Sequence, residues 1–373
     1  MLSTLHAAED VRIFHKQAKT LARAGYNVTV IAPYAGNTIV GGVSIVGLPD
    51  PKPGLATRLF DVDRLAFRLA SRQHGYVYHL HDPELLPWGI LLRVITRTKV
   101  VYDVHEDYAK VIAARYRGRL CRKLIEWCFH LFEWSTAWTL SAVVAATDDI
   151  AGHFPRYRTV VVRNYPLLDL FPLPKHEEDE KSSSNGPYRL IVTGGLTRIR
   201  GIRELVWAAA LVGDEYDIRV KLLGRFESKA FEEEVRALPG FERVEYHEWV
   251  PYEEVPRHLA EAQIGVVLFH PLPNHVASMP NKLFEYMAAG LPMIASNFPL
   301  WREIVEGNEC GITVDPLDPK KIAGAIEYLL DHPEIRHKMS ENGRRAFLER
   351  YNWNTEAKTL LELYKRLIGS KGG

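Results

Sequence analysis

Residues Arg189 to Gly201 read RLIVTGGLTRIRG: an apolar run, two glycines, a loop with two arginines, and a glycine opening a helical pattern. The run predicts a buried strand over Tyr188–Val192, and the pattern a helix over Gly201–Leu211. Glycines let a backbone approach a ligand, a helix N-terminus offers unpaired N–H groups, and Arg198 or Arg200 can fork onto phosphate oxygens. The stretch reads as an anion site; the plain alternative is a tight strand-to-helix turn with solvated arginines. It is not the dinucleotide fingerprint, because no third glycine falls at the required spacing.

Outward from this stretch, short apolar runs alternate with helical patterns in both directions, the signature of parallel α/β sheets. Downstream, strands are expected at Ile218–Leu223, Ile264–Phe269 and Pro292–Ala295, with helices at Lys229–Leu238 and Asn281–Ala289. Upstream, Asp10 is placed to cap a helix that stops at Gly25. Strands follow at Tyr26–Ile31, Gly75–His79, Thr98–Tyr102, Ala142–Ala146 and Thr159–Val162. Between the two series lies PLPKHEEDEKSSSNGP, Pro172–Pro187, which can bury almost nothing. Two doubly wound, Rossmann-like α/β domains are therefore expected at 1–170 and 187–350, joined by a linker at 171–186. A cleft between such domains is the default ligand site. Only Met1–Leu5 precede the first loop, so the first strand is expected to be clipped.

A length of 373 residues fits two domains. Hydrophobic residues at 47% and charged residues at 25% exclude disordered, collagen-like and disulfide-scaffold classes. The net charge of +1 conceals a split, +6 over residues 1–170 and −5 beyond, so the two parts are expected to meet different partners. Three cysteines, Cys121, Cys128 and Cys310, make neither a disulfide framework nor a zinc cluster, and a reducing cytoplasm is expected. No signal peptide and no membrane-spanning run is visible.

A second constellation, Met279 to Ser296, reads MPNKLFEYMAAGLPMIAS. Pro280 suits a helix start, and Lys282 and Glu285, three apart, share a face. Glu285 could accept two hydrogen bonds from a diol such as a ribose; the commoner meaning of the spacing is a surface ion pair. Asp61-Val62-Asp63 spells a metal-binding Asp-x-Asp, although helix capping is the expected role. His79, His81 and Asp82 offer ligand atoms without a spacing template, and no metal requirement is expected. From Lys110 to Lys123 there are six basic residues and no acidic one, followed by Trp127, Phe129, Phe132, Trp134 and Trp138. Residues 110–138 thus suit an anionic membrane surface, against the alternative of a solvated face followed by an aromatic core-facing one. No nucleic-acid recognition motif accompanies the charge.

PNKLFEYMAAGLPMIASNFPLWREIV resembles the donor-site signature of the retaining glycosyltransferases of family 4, which have the GT-B fold. VTGGLTRIRGI is similar to that family's phosphate loop. EDVRIFHKQAKTLARAGYNVTVIAP, HLHDPELLP and VVYDVHEDY resemble its N-terminal domain. The resemblance implies two Rossmann-like domains facing across a cleft, with the helix at 355–368 packing back on the first. It implies a retaining glycosyltransferase that moves a sugar from a nucleotide-diphosphate sugar to a glycan or lipid-linked acceptor, in cell-surface polysaccharide synthesis. Glu285 corresponds to the ribose-binding Glu, and Arg200 to the basic residue that holds the diphosphate. His105 corresponds to a histidine near the transferred sugar, and its plain alternative is a strand-end histidine bonded to Asp103 or Glu106. Backbone groups of Gly194 and Gly195 are expected to face the phosphates.

Two positions depart from the family pattern. Ala277 stands where another Glu is common, and Gly195 where an arginine is usual. Lys282, with Asn281, is expected to replace part of the lost phosphate binding. His81 and Asp82 are the acceptor-side candidates. The expected reaction set is therefore catalytic His105, Arg200 and Lys282, with donor contacts from Gly194, Gly195, Arg200, Asn281, Lys282 and Glu285, and no cofactor or metal. The expected location is cytoplasmic, at the inner face of the plasma membrane. A nucleotide-sugar epimerase of the same fold and a silent sugar-nucleotide-binding scaffold are the alternatives.

Overall fold

The computed structural model describes residues 1–49, 61–113, 116, 118–171 and 186–369. The chain divides into two compact units: Met1–Asn164 with Trp353–Gly373, and Tyr165–Asn352. Most of the expected linker, 172–185, lies outside the described residues.

In the first unit, β1 (Val28–Pro33), β2 (Asn37–Val40) and β3 (Val43–Leu48) form one group, ordered β1-β3-β2. The strands β4 (Val77–Leu80), β5 (Lys99–Val104), β6 (Ala142–Ala145) and β7 (Thr159–Val161) form a parallel row in chain order. The N-terminal segment joins the groups: Leu2 bridges both Ile31 and Leu80, and the Met1 amino group donates to the Thr29 carbonyl at 2.8 Å. Leu2 makes these contacts as an isolated bridge residue between the two groups. β2 runs antiparallel to β3, contrary to a purely parallel sheet. Gly41 and Gly42, at φ 56° and 80°, make the two-residue turn between them, which demands left-handed backbone at both positions.

Asp10 caps as expected, accepting from the Arg12 and Ile13 amides at 2.8 and 3.0 Å, but helix Val11–Ala18 is π-wound before Lys19–Arg23 completes it. Asp61 and Val62 are already helical ahead of helix Asp63–Arg72, and Asp63 lies fully buried in that helix's first turn. Helix Trp353–Ile368 belongs to the first unit, where Trp353 Nε1 donates to Thr20 Oγ1 at 2.8 Å and the Tyr364 hydroxyl meets His79 Nδ1 at 2.9 Å.

The second unit carries six parallel strands: β8 (Tyr188–Thr193), β9 (Ile218–Leu223), β10 (Val244–His247), β11 (Ile264–Val267), β12 (Met293–Ser296) and β13 (Gly311–Val314). Their order is β10-β9-β8-β11-β12-β13. β8 and β11 are apolar and buried because helices cover both faces of the sheet. Leu190, Val206, Val220 and Ile326 fill one side; Ile191, Phe284, Met287 and Trp301 fill the other.

Helix Arg119–Thr139 in the first unit turns Glu133, Thr136 and Ala137 inward. Its aromatics are not core-facing, as one alternative had it: Leu120, Leu124, Trp127, Leu131, Trp134 and Trp138 make an exposed stripe at helical spacing. The Glu133 carboxyl accepts the Tyr102 hydroxyl at 2.7 Å, and burial raises its pKa from 4.5 to about 7. Because the folded value lies above the unfolded one, the stability this group contributes is present below pH 4.5 and lost as pH rises through about 7. Glu133→Gln should therefore be more stable than the parent at pH 8 by about 1–3 kcal/mol and unchanged or weaker at pH 4. Urea unfolding at the two pH values checks it; a variant destabilised equally at both would contradict the assignment.

Candidate functional site

The strand order in the second unit reverses between β8 and β11, and open parallel sheets hold ligands outside the carboxyl ends of the strands at such a point. The residues after these two strands are Gly194-Gly195 and Leu268-Phe269-His270. Gly194 adopts φ 85°, and Gly224 and Gly201 let neighbouring backbone close in: a Cβ on Gly224 would lie 1.9 Å from the Gly194 carbonyl, and one on Gly201 2.2 Å from that of Leu268. The turn can therefore sit directly at the sheet's end.

Helix Asn281–Ala288 is pinned over the same point. The Tyr286 hydroxyl donates toward the Ile191 and Val266 carbonyls at 3.2 and 3.4 Å, and only glycine at 265 leaves room for its ring. The loop before the helix is held by Trp301 Nε1, which donates to the Ser278 carbonyl at 2.7 Å. One turn N-terminal to Tyr286, Lys282 reaches the glycine turn, its Nζ 3.1 Å from where a Gly194 side chain would begin. Arg200 Nη1 lies 3.9 Å from that point and donates to the Gly195 carbonyl at 3.2 Å. Both cations stand over the Phe269 ring, at 5.3 and 5.5 Å from its centroid.

Among the described residues no carboxylate comes within salt-bridge reach of Lys282. Burial first, then the neighbouring Arg200 charge, lowers its pKa to about 7, against the pull of Glu285. Glu285 is buried, and the Tyr252 hydroxyl bonds to it. Arg198, the other expected phosphate ligand, is instead forked onto Glu234 at the surface, Nη1 to Oε1 at 2.9 Å. Asn281 opens the helix beside Lys282, and Ala277 closes the short helix Pro273–Val276. The structure thus brings together Gly194, Gly195, Arg200 and Lys282, with Glu285 one turn beyond Lys282. Phe269 and Tyr252 went unread in the sequence, because an aromatic after a strand or in a loop carries no periodic signal.

The first unit gathers a different set at the ends of β4 and β5. Asp103 takes a bidentate bond from Arg12, at 3.0 and 2.6 Å, a third from Gln17 at 2.7 Å, and contacts from His81 and His105 at 3.2 and 3.1 Å. Burial opposes its charge, but Arg12 and the two histidines hold the carboxyl well below the usual range. The alternative reading of His105, a bond to Asp103, is thus realised, and its ring remains 11% exposed. His81 and Asp82, expected as acceptor-side groups, are sealed in. Burial lowers His81 to a pKa of about 4, so it is neutral, and Asp82 accepts from Ser3 Oγ and the Thr4 and Leu5 amides at 2.9, 2.6 and 3.2 Å. They hold His105 and the N-terminal loop rather than facing solvent. Arg12 and Gln17 were missed; the hint was a basic residue on the apolar face of the first helix.

Nearly the whole fold is shared with known proteins. The Anabaena protein Alr3699/HepE, solved in complex with UDP-glucose, superposes with a TM-score of 0.71 at 13% identity, covering 98% of both chains. The fold is GT-B. Residues 174–346 match the family described as Glycosyl transferases group 1. Among curated relatives, the MMP alpha-(1->4)-mannosyltransferase of Mycolicibacterium hassiacum is 26% identical over 46% of this chain and 41% of its own length. The chitobiosyldiphosphodolichol beta-mannosyltransferase of Candida glabrata is 23% identical over 82% of this chain and 74% of its own. The chain thus spans less than half of the first relative and about three quarters of the second.

A ligand that carries two negative phosphates should restore the Lys282 charge and take up a proton as it binds. Affinity for a nucleoside diphosphate should fall, by up to tenfold per unit, as pH rises above about 7. In Lys282→Met the slope should vanish; an unchanged slope in that variant, measured by calorimetric titration, would show that another group titrates.

Proposed function

We propose that the chain is a retaining glycosyltransferase that takes a sugar from a nucleotide-diphosphate donor and passes it to a glycan or lipid-linked acceptor in cell-surface polysaccharide synthesis. The observation that carries this reading is the convergence of Arg200 and Lys282 on a glycine turn at the β8–β11 switch point, with buried Glu285 one helical turn on. The cations and the turn's N–H groups stabilise the diphosphate as it departs, which is where negative charge develops. Glu285 receives the ribose hydroxyls, and Tyr252 orients it. The bond from the anomeric carbon to the phosphate oxygen breaks, the acceptor oxygen bonds the same face of that carbon, and the acceptor proton leaves on the phosphate. His105, oriented by Asp103, positions hydroxyls. The donor site uses no metal ion. The MMP alpha-(1->4)-mannosyltransferase, by its name, forms an alpha linkage, whereas the Candida glabrata relative is named a beta-mannosyltransferase.

Product stereochemistry tests the reading. Proton NMR of the transfer product should show the donor's anomeric configuration, and an inverted centre contradicts retention. Lys282→Ala and Arg200→Ala should each lower kcat/KM by 10²–10³-fold, as loss of one pre-oriented charge does. Donor binding without transfer to any acceptor would point to the scaffold alternative, which Ala277 favours, and epimerisation without acceptor would point to the epimerase.

The first unit is proposed to rest on an anionic membrane at the inner face of the plasma membrane. No helix among the described residues is long and apolar enough to cross one. The exposed stripe from Leu120 to Trp138 lies on the helix that begins with Arg119, Arg122 and Lys123, the pairing that interfacial binding needs. Arg119→Glu/Arg122→Glu/Lys123→Glu should abolish co-sedimentation with anionic vesicles; undiminished sedimentation would remove the membrane reading.

A further inference from the structure

Three ligand-type side chains meet in the first unit without a part in the reaction described above. Asp107 lies between β5 and helix Tyr108–Ala113, His130 on helix Arg119–Thr139, and His153 just after helix Asp148–Gly152. His130 Nε2 stands 3.7 Å from Asp107 Oδ1, and His153 Nδ1 4.0 Å from Oδ2. The two rings contact edge to face, centroids 4.3 Å apart, and all three ligand atoms fall within 4.8 Å of one another. In a tetrahedral site with arms of about 2.0–2.1 Å, ligand atoms lie about 3.3 Å apart, so closure needs shifts of well under an ångström to about 1.5 Å. The residues are half-buried, which leaves a face open for entry and for a water as fourth ligand.

We propose that Asp107, His130 and His153 bind one borderline divalent cation, of which Zn²⁺ is the type. Two imidazoles and one carboxylate favour such an ion over Mg²⁺, which prefers oxygen ligands and keeps its water. Lys110 Nζ stands 2.8 Å from Asp107 Oδ2 and 3.5 Å from Asp149, so it can yield the first carboxylate and keep the second. The other His/Asp group, His79, His81 and Asp103, is a poor rival, because both oxygens of Asp103 are already engaged by Arg12 and one of them also by Gln17. Asp107 is two residues from His105, so the ion would tie the His105 loop to two helices of the same unit.

Calorimetric titration of ZnCl₂ into the full chain, stripped with EDTA and dialysed, tests the site. One tight equivalent is expected. His130→Gln and His153→Gln should each weaken it at least tenfold, while His337→Gln, at an exposed histidine elsewhere, should not. Zn²⁺ should raise the unfolding temperature of the parent and not of the two site variants. Co²⁺ should give a visible tetrahedral absorption in the parent alone, a readout that does not depend on how well a variant folds. No tight equivalent in the parent, an undiminished one in both variants, or no such cobalt spectrum would overturn the proposal.

Discussion

The glycine turn at the end of β8 is shaped by a like-charge pair. Arg200 and Lys282 both lie within 3.9 Å of the point where a Gly194 side chain would start, and they share the face of one phenylalanine. Unit charges no more than about 7 Å apart at an effective dielectric constant of ~20 repel by at least about 2 kcal/mol, and burial adds to that cost. The lowered pKa of Lys282 expresses this directly. Such a pair, with no carboxylate among the described residues at salt-bridge distance from the lysine, is what supports the proposal of an anionic ligand at the glycine turn.

What holds the pair there is backbone geometry. Gly194, Gly201 and Gly224 bring three chain segments closer than side chains would allow, and Gly265 admits the Tyr286 ring that locks the lysine-bearing helix over β8 and β11. The same economy appears in the first unit, where one buried carboxylate, Asp103, gathers Arg12, Gln17, His81 and His105. In each unit the gathered polar groups include residues at or just beyond the carboxyl ends of parallel strands, His81 and His105 in the first and Gly194 and Gly195 in the second.

Much of this was legible in the residues. Apolar runs placed β8 and β9 almost to the residue, because strands covered on both faces carry an unbroken signal. The turn glycines with Arg198 or Arg200 read as an anion site and Glu285 as a diol acceptor from their types and spacing, whereas the phosphate role of Lys282 came through the family resemblance; the structure brings Gly194, Gly195, Arg200 and Lys282 together and turns Arg198 away. The hairpin of β2 and β3 went unread although Val40-Gly41-Gly42-Val43 marks its turn, because an alternation of strands and helices leaves no place for two adjoining strands. The Asp103 network was beyond reach: Arg12 and Asp103 are far apart in sequence, and only the fold brings them together. Burial of His81 and Asp82 was hidden for the same reason, because a strand-end position does not reveal that the N-terminal loop folds over it.

The most direct measurement of the central claim compares nucleoside diphosphates with the matching monophosphates by thermal shift, across uridine, guanosine and adenosine. A ligand that binds only the folded state raises its unfolding temperature. One base should give a clear rise as diphosphate and a small one as monophosphate, and the rise should disappear in Arg200→Ala/Lys282→Ala. Equal shifts for mono- and diphosphates, or a rise that survives in the double variant, would contradict the assignment of Arg200 and Lys282 to the diphosphate.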